Sequence, residues 1–258
     1  MLLEGKTALV VGVANKNSIA WGIAQALIRE GATVILTYLN EKLERRVRSL
    51  AEEQDPALEC IQLDATNPEE VETAFKKVSE LTGGKLDMLV HSIAFAKKED
   101  LEGNIVDTQA DGFKTAQEVS AYTLISLSRA AMPLFKANGG GSVIAMSYLG
   151  GERVVPNYNV MGIAKASLEA TVRYLAWDLG RENVRVNAVS AGPMNTLSGR
   201  GISGFQKMMN EVGDRAPLGR NVTLEEVGNA GMFLLSPLSS GITGEIMYVD
   251  AGYNIMGM

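Results

Sequence analysis

The sequence predicts a doubly wound α/β fold, in which one parallel sheet of about seven strands has helices on both faces. Short apolar segments rich in Val, Ile and Ala alternate with amphipathic segments, and this alternation indicates βαβ units. Hydrophobic residues make up 46% of the chain and aromatic residues only 6%, a composition typical of parallel sheets packed by helices. The 258 residues contain no repeat, low-complexity tract or linker, so residues 1–258 are expected to form one domain.

The first four strands are predicted from apolar segments that end in turn residues. They are KTALVVGV at 6–13, ATVILTYL at 32–39, ALECIQLDA at 57–65 and KLDMLVHSIA at 85–94. Helices are predicted between these strands because apolar residues recur there at helical spacing. The three helices cover residues 18–31, 41–54 and 68–84.

The second half of the chain continues the alternation. Three more strands are predicted: GSVIAMSYL at 141–149, VRVNAVSAG at 184–192 and EIMYVDAG at 245–252. A helical region at 111–137 precedes the first of them. A further helix is expected to begin just after Pro156, with Asn157 as its N-cap.

Two long segments, 95–110 and 193–222, do not fit the alternation. Each follows a predicted strand and so lies at the carboxyl edge of the sheet, where open α/β sheets bind ligands. Loops of this length in a compact domain usually serve function. The second segment has three glycines near its start, followed by Phe205, Met208 and Met209. We therefore expect a mobile substrate lid with an apolar inner surface at about 194–215.

Charge and cysteine content exclude several classes of function. The formal net charge of −6 argues against a nucleic-acid partner. Cys60 is the only cysteine, which argues against a disulfide framework and favours a reducing compartment. No signal peptide and no apolar run of ~18 residues is present in the sequence, so a cytoplasmic protein that does not enter the membrane is expected. No His/Cys cluster has metal-ligand spacing, so no metal site is expected.

Two tyrosines and a lysine in the segment 148–165 form a candidate catalytic set. Tyr158 and Lys165 are seven positions apart, almost two helical turns, and should share one helix face. A nearby ammonium would lower the pKa of the phenol from about 10 and prepare it to donate a proton. The spacing alone leaves open the alternative that both are ordinary helix-surface residues.

The turn after the first strand, from Gly12 to Gly22, has features of a dinucleotide-binding turn. Gly12 can form the tight turn, while Ser18, Ala20 and Gly22 are small enough for a phosphate to approach the backbone. Ser18 can also cap the helix whose N-terminus would receive the pyrophosphate. The alternative is a simple packing turn. Asp64, after the third strand, could accept a hydrogen bond from the adenine amino group or could instead cap the next helix.

With these residues in place, the chain resembles the short-chain dehydrogenase/reductase superfamily and, within it, the bacterial NADH-type enoyl-acyl-carrier-protein reductases of fatty-acid synthesis. The resemblance runs from about Gly12 to Gly252 and implies a Rossmann-like fold. It is carried by the first turn, the Tyr148/Tyr158/Lys165 set, HSIAFA at 91–96, SAGPMNTLS at 190–198 and GITGEIMYVDAG at 241–252. Most members of the superfamily place the acidic Tyr where this chain has Met161, and a Ser where it has Tyr148. The carbonyl-reducing pattern is therefore broken, and the enoyl reductase pattern is met.

The displaced tyrosine suits the chemistry of an enoyl thioester. Hydride adds to C3, whereas the negative charge develops on the carbonyl oxygen at C1, farther from the nicotinamide than in a ketone. Moving the phenol from the position of Met161 to Tyr158 shifts its anchor by about 4.5 Å along the helix. The direction and approximate size of this shift agree with the greater distance of the thioester oxygen from the nicotinamide.

The resemblance also implies roles for individual residues. Tyr158 would donate to the enolate oxygen, Lys165 would hold the ribose hydroxyls, and Tyr148 would border the pocket. Ala96 would contact the substrate. The expected cofactor-binding residues are Gly12, Ser18, Ile19, Leu39, Asp64, Ala65, Ile93, Lys165, Met194, Asn195, Thr196, Leu197 and Ser198.

The implied cofactor is NADH and the implied partner is acyl carrier protein with an enoyl thioester. NADPH is disfavoured because no Arg immediately follows the second strand, and Glu41 there would repel a 2′-phosphate. A homotetramer is expected from the family. Two alternatives remain: a 3-oxoacyl or other carbonyl reductase, and a non-catalytic NAD(P)-sensing module. His91, the only histidine, is expected to pack or to hydrogen-bond behind the cofactor rather than to catalyse.

Overall fold

The computed structural model describes residues 1–257, and within them the chain forms a sheet of seven parallel strands in the order β3-β2-β1-β4-β5-β6-β7. The strands are β1 (Thr7–Val11), β2 (Thr33–Tyr38), β3 (Glu59–Gln62), β4 (Met88–His91), β5 (Gly141–Ser147), β6 (Val184–Ala191) and β7 (Ile246–Val249). The seven predicted strands are confirmed, each somewhat shorter than its apolar segment. The strand order reverses between β1 and β4, and this reversal opens a crevice at the carboxyl edge of the sheet.

Nine α-helices surround the sheet in the described range. They are α1 (Ile19–Arg29), α2 (Glu41–Glu52), α3 (Pro68–Thr82), α4 (Lys98–Leu101), α5 (Ala110–Gln117), α6 (Thr123–Asn138), α7 (Asn159–Leu179), α8 (Phe205–Arg215) and α9 (Leu224–Leu235). A π-helical turn, Glu118–Tyr122, joins α5 to α6, so the helical region predicted at 111–137 is confirmed. None of the helices in residues 1–257 is long and apolar enough to cross a membrane.

Alternate residues of the strands point into two separate cores. In β1, Leu9 and Val11 belong to a cluster with α3, α6 and α7, whereas Ala8 and Val10 belong to a cluster with α1, α2 and α9. Successive side chains of a strand point to opposite faces of the sheet. Helices therefore cover both faces, and the predicted Rossmann-like fold is confirmed.

Helix α9 was not predicted, although its start carries a capping signal. Thr223 accepts a hydrogen bond from the Glu226 amide, and the Glu226 carboxylate accepts one from the Thr223 amide, which is a capping box. The helix crosses α1 at two glycines: a Cβ at Gly228 would lie 2.3 Å from the Gly22 carbonyl oxygen. Gly22 therefore serves close helix packing.

Two predicted caps are wrong. Asn157 has φ +61°, and its side-chain amide donates to the Ser203 carbonyl oxygen at 3.0 Å, while α7 begins at Asn159. Ser18 stands at the N-cap position of α1, but its hydroxyl accepts hydrogen bonds from the amides of Ala14 and Asn15, each at 3.0 Å. Both side chains bind a neighbouring loop instead of the helix that follows them.

The two long segments contain short helices. Segment 95–110 includes α4 and a 3₁₀ turn, Ile105–Asp107, and segment 193–222 includes α8. The hydroxyl of Ser203 donates to the Glu102 carboxylate, so the two segments meet across the carboxyl edge of the sheet.

Candidate active site

A cavity of about 580 Å³ opens at the carboxyl edge of β1, β4, β5 and β6. Twelve of the predicted site residues line it: Gly12, Ser18, Ile19, Ile93, Ala96, Tyr148, Tyr158, Lys165, Met194, Thr196, Leu197 and Ser198. These residues are spread over positions 12–198, and the parallel sheet brings them together because the carboxyl ends of its strands share one edge.

Four predicted cofactor residues lie outside this cavity. Leu39 follows β2 and is 47% exposed, while Asp64 and Ala65 follow β3. Asp64 accepts hydrogen bonds from the amide and hydroxyl of Thr66, whereas Asn67 accepts from the first amides of α3. Asp64 thus does not cap the helix, and these three residues extend the same sheet edge beyond the cavity. Asn195 lines a separate cavity of about 210 Å³.

Tyr158 is packed edge-on against Tyr148. Their ring centroids are 5.0 Å apart with the planes at 71°, a favourable aromatic geometry. A Cβ at Gly150 would lie 2.5 Å from Cδ1 of Tyr158, so the glycine gives the ring its space. The Tyr148 hydroxyl lies 3.5 Å from Sδ of Met208 in α8. The two phenols therefore differ in setting: Tyr158 is buried in the wall, and Tyr148 contacts the predicted lid.

Burial decides the protonation of the tyrosines. It raises the pKa of Tyr158 well above its usual value near 10, and the charges of Tyr148 and Glu169 add to the rise. Burial also raises the pKa of Tyr148 to about 12. The expected lowering of the phenol pKa is not found in this structure: the groups that act on Tyr158 all raise its pKa, with burial of the phenolate the largest cause. Tyr158 stays protonated at neutral pH and can donate a hydrogen bond.

Lys165 is buried on the first turns of α7. Its ammonium donates to the Met146 carbonyl oxygen at 2.7 Å. Burial lowers the pKa of Lys165 to about 8, and the nearby Glu169 carboxylate opposes that change. The lysine shares the cavity with Tyr158, so these residues do meet in one site as the helical spacing predicts.

His91 is not part of the cavity lining. It is fully buried, and its Nε2 lies 2.8 Å from the Thr123 hydroxyl. Burial lowers the pKa of His91 to about 3, so the imidazole is neutral in the folded protein at neutral pH. The prediction that it packs and hydrogen-bonds behind the site is confirmed.

Sequence reasoning missed part of the apolar wall. Leu101 of α4, Met146 at the end of β5 and Ile202 before α8 all line the cavity. Leu101 also packs with Tyr158 in a small buried cluster. The segment 95–110 was expected to be functional, but nothing in its sequence indicated which apolar residue turns inward.

The end of the cavity at the β1–α1 turn suits a pyrophosphate. Gly12 has φ +110°, and a Cβ there would lie 2.1 Å from the Ser92 carbonyl oxygen, so only glycine allows β1 and β4 to meet this closely. Ser18 and Ile19 place the N-terminus of α1 at the cavity, where backbone amides and the helix dipole favour a phosphate. These residues fit a dinucleotide. No group of three or more His, Cys, Asp or Glu side chains among residues 1–257 is arranged to hold a metal ion.

Comparisons with known proteins agree with this geometry. The sequence model of the family described as Enoyl-(Acyl carrier protein) reductase matches residues 12–254. The Enoyl-[acyl-carrier-protein] reductase [NADH] FabI of Bacillus cereus is 50% identical, and that of Nostoc sp. is 51% identical, with 99% of each chain covered in both cases.

Solved structures give the same result. The enoyl-acyl carrier protein reductase of Bacillus cereus, solved with NADP⁺ and indole naphthyridinone, has a TM-score of 0.96 at 49% identity, covering 100% of this chain and 99% of that one. The enoyl-[acyl-carrier-protein] reductase (NADH) of Aquifex aeolicus has a TM-score of 0.96 at 46% identity, covering 100% of both chains.

Proposed function

The chain belongs to the enoyl-(acyl carrier protein) reductase family, and we propose that it reduces the C2–C3 double bond of trans-2-enoyl thioesters of acyl carrier protein in fatty-acid biosynthesis. The observation that carries this proposal is that Tyr148, Tyr158 and Lys165 line one cavity with the β1–α1 turn. Relatives of equal length and half-identical sequence are named as NADH-dependent enzymes of this activity.

Tyr158 is proposed as the donor to the thioester oxygen. NADH, when bound, supplies the hydride that is added to C3. The phenol keeps its proton because burial raises its pKa, so it can donate to the carbonyl oxygen on which negative charge develops. Such a bond strengthens in the transition state and therefore lowers the barrier. Tyr148 borders the acyl site and orients the thioester.

Lys165 is proposed to bind the ribose hydroxyls of the cofactor. Its side chain is held from one side by the Met146 carbonyl, which leaves other ammonium protons for the ribose. Gly12, Ser18 and Ile19 bind the pyrophosphate at the N-terminus of α1. Leu39, Asp64 and Ala65 continue the site toward the adenosine, because they follow β2 and β3 at the same sheet edge.

The nicotinamide and acyl ends are proposed to lie between β4 and the segment after β6. The residues assigned there are Ile93, Ala96, Met194, Asn195, Thr196, Leu197 and Ser198. Segment 194–215 acts as a lid over the nicotinamide and acyl ends of the cavity, within a single domain. Its inner face is supported by Phe205 and Met208, which line the cavity.

We also propose a homotetramer in the cytoplasm. Tyr174 and Trp177 of α7 are 75% and 78% exposed, and exposed aromatic side chains on one helix favour a subunit interface. The buried free thiol of Cys60 suits a reducing compartment. Light scattering of the purified protein should give four times the chain mass; the mass of one chain would contradict the assembly.

One assay tests the activity. The pure protein is incubated with NADH and a crotonyl thioester, then with a 3-oxoacyl thioester, while nicotinamide absorbance is followed. We expect oxidation of NADH only with the crotonyl substrate. Turnover of the 3-oxoacyl thioester alone would identify a carbonyl reductase, whereas NADH binding with neither turnover would identify a sensing module.

A further inference from the structure

The end of β5 and one face of α7 are joined by two side-chain hydrogen bonds at adjacent positions. Lys165 donates to the carbonyl oxygen of Met146 at 2.7 Å. Ser147, which follows Met146 in β5, donates from its hydroxyl to the Glu169 carboxylate at 2.5 Å. Lys165 and Glu169 are one helical turn apart and therefore share a helix face. Two consecutive strand residues thus hold two consecutive turns of the helix.

All three polar side chains of this junction are buried. Ser147 is 5% exposed, Lys165 6% and Glu169 4%. A carboxylate removed from water is costly unless it is hydrogen-bonded or paired with a cation. The 3₁₀ turn after β5, Leu149–Gly151, packs against the Ser147–Glu169 hydrogen bond. A Cβ at Gly151 would lie 3.1 Å from the Glu169 carboxylate.

Glu169 does not itself line the cavity, whereas Ser147 and Lys165 do. It can therefore affect the cofactor only through its neighbours. We propose that Glu169, fixed by Ser147 one helical turn from Lys165, is a positioning residue that keeps the Lys165 side chain charged for the cofactor. This inference rests on the proposed role of Lys165 as the ribose-binding group.

The charges around the pair come from several elements. Burial lowers the pKa of Lys165 to about 8, and Glu169 is the group that opposes this. His91 of β4 also lies close enough to interact with Lys165, but it is neutral near pH 8.

Glu169 has its own surroundings. Burial raises the pKa of Glu169; the Ser147 hydrogen bond lowers it, Glu152 raises it, and Arg173 and Lys165 lower it. The hydrogen bond and the two cations oppose the effect of burial on Glu169. Glu169 in turn is the group that raises the pKa of Lys165.

The test is the pH dependence of NADH binding in E169Q, followed by nicotinamide fluorescence. Glutamine can still accept from Ser147 but carries no charge, so the Lys165 charge should be lost at lower pH. Loss of an opposite charge lowers the lysine pKa by about one unit or more. The dissociation constant of NADH should then rise about fivefold at pH 8 and stay near the wild-type value at pH 6.

Control variants make the result specific. Asp178→Asn removes an exposed carboxylate from the same helix and should leave the profile unchanged. Lys165→Met should weaken binding and remove the pH dependence between pH 6 and 9. Ser147→Ala keeps both charges and should shift the profile in the same direction as E169Q, but less; it replaces E169Q if circular dichroism shows that E169Q does not fold.

The wild-type protein is expected to bind NADH and reduce the crotonyl thioester. If it does so and the pH profiles of NADH binding in E169Q and Ser147→Ala run parallel to that of the wild type, the role of Glu169 alone is overturned. A pH profile in Lys165→Met equal to that of the wild type would overturn the ribose-binding role of Lys165, and the inference with it. A uniform weakening of NADH binding by E169Q at every pH would indicate a purely structural role and would likewise overturn it.

Discussion

At the scale of single residues, the buried phenol of Tyr158 shows how desolvation decides protonation. Lys165 lies in the same cavity, yet the pKa of Tyr158 is raised, chiefly because burial disfavours the charged phenolate and also because of the nearby Tyr148 and Glu169. The phenol is therefore a hydrogen-bond donor at neutral pH. This state suits an oxygen that gains negative charge during the reaction.

The Tyr158→Phe variant tests that role. It removes the donor and keeps the ring volume, so kcat should fall by about 10²–10³ while the dissociation constant of NADH is unchanged. Tyr148→Phe is the matched control and should be much milder, because the Tyr148 hydroxyl contacts Met208 of the lid. Steady-state kinetics with direct NADH titration measure both. Equal damage from the two substitutions would mean that the tyrosines share or exchange their roles.

At the scale of secondary-structure elements, the crossing of α1 and α9 depends on two glycines. A Cβ at Gly22 would lie 2.8 Å from the Leu224 carbonyl oxygen, and one at Gly228 would lie 2.3 Å from the carbonyl oxygen of Gly22. Backbone atoms cannot move aside as a flexible side chain can. The first turn of the dinucleotide site thus rests on a helix that comes late in the chain.

Gly228→Ala should therefore destabilise the protein. Overpacking of this kind typically costs about 1–3 kcal/mol, even though alanine favours a helix. Gly180→Ala is a matched control, since no atom lies within 4 Å of a Cβ there, and its effect should stay within about 0.5 kcal/mol. Urea unfolding followed by circular dichroism gives both values. Equal stability of the two variants would show that the crossing can relax.

Helix α8 also carries a prediction about the carrier protein. The side chain of Lys207 is 82% exposed, and its only ion pair within the described residues is with Glu211 on the same helix, at 3.8 Å. Lys207→Glu should raise the KM for a carrier-linked enoyl substrate far more than the KM for the coenzyme A analogue, because a rim charge acts on docking with an acidic partner. The two KM values decide the matter. Equal losses on both substrates would place Lys207 outside the docking surface.

At the scale of the whole molecule, the sheet is buried between two cores, and its strand order reverses between β1 and β4. Polar groups that pass through these cores must stay uncharged or be paired. His91, at the end of β4, is the only histidine of the chain and is fully buried. Its titration therefore influences the stability of the entire fold.

Stability should fall when the pH is lowered from 8 to 5. The pKa of His91 is about 3 in the folded protein and about 6.5 in an unfolded chain, so the unfolded state binds the proton first. The stabilisation is complete above pH 6.5 and is lost as the pH falls toward 3, with about 2 kcal/mol lost by pH 5.

His91→Gln is the control for this loss. The variant should be less stable at pH 8, but its unfolding free energy should change little between pH 8 and 5. Urea unfolding at several pH values measures both proteins. Parallel curves would show that other groups cause the dependence.

The sequence by itself determined the fold class, the seven strands and the residue set at the centre of the site. Strand and helix periodicity are local properties, and parallel strands bring their carboxyl ends to one edge whatever the loops do. The Tyr158–Lys165 spacing predicted a shared site, and it does so because Tyr158 stands directly before α7 and Lys165 lies in its first turns. The enoyl reductase family was evident from Tyr148 and Met161, and it is the family shown by the full-length comparisons.

Only the tertiary structure decided the details that depend on distant contacts. The side chain of Asn157 binds the Ser203 carbonyl oxygen rather than the helix that follows it, and Gly22 packs closely against the start of α9. The pKa of Tyr158 follows from how completely it is buried, and burial is the sum of contacts from many elements. The junction of Ser147 and Glu169 likewise joins a strand to a helix 22 positions away. No local pattern reports such contacts, because they exist only once the chain has packed.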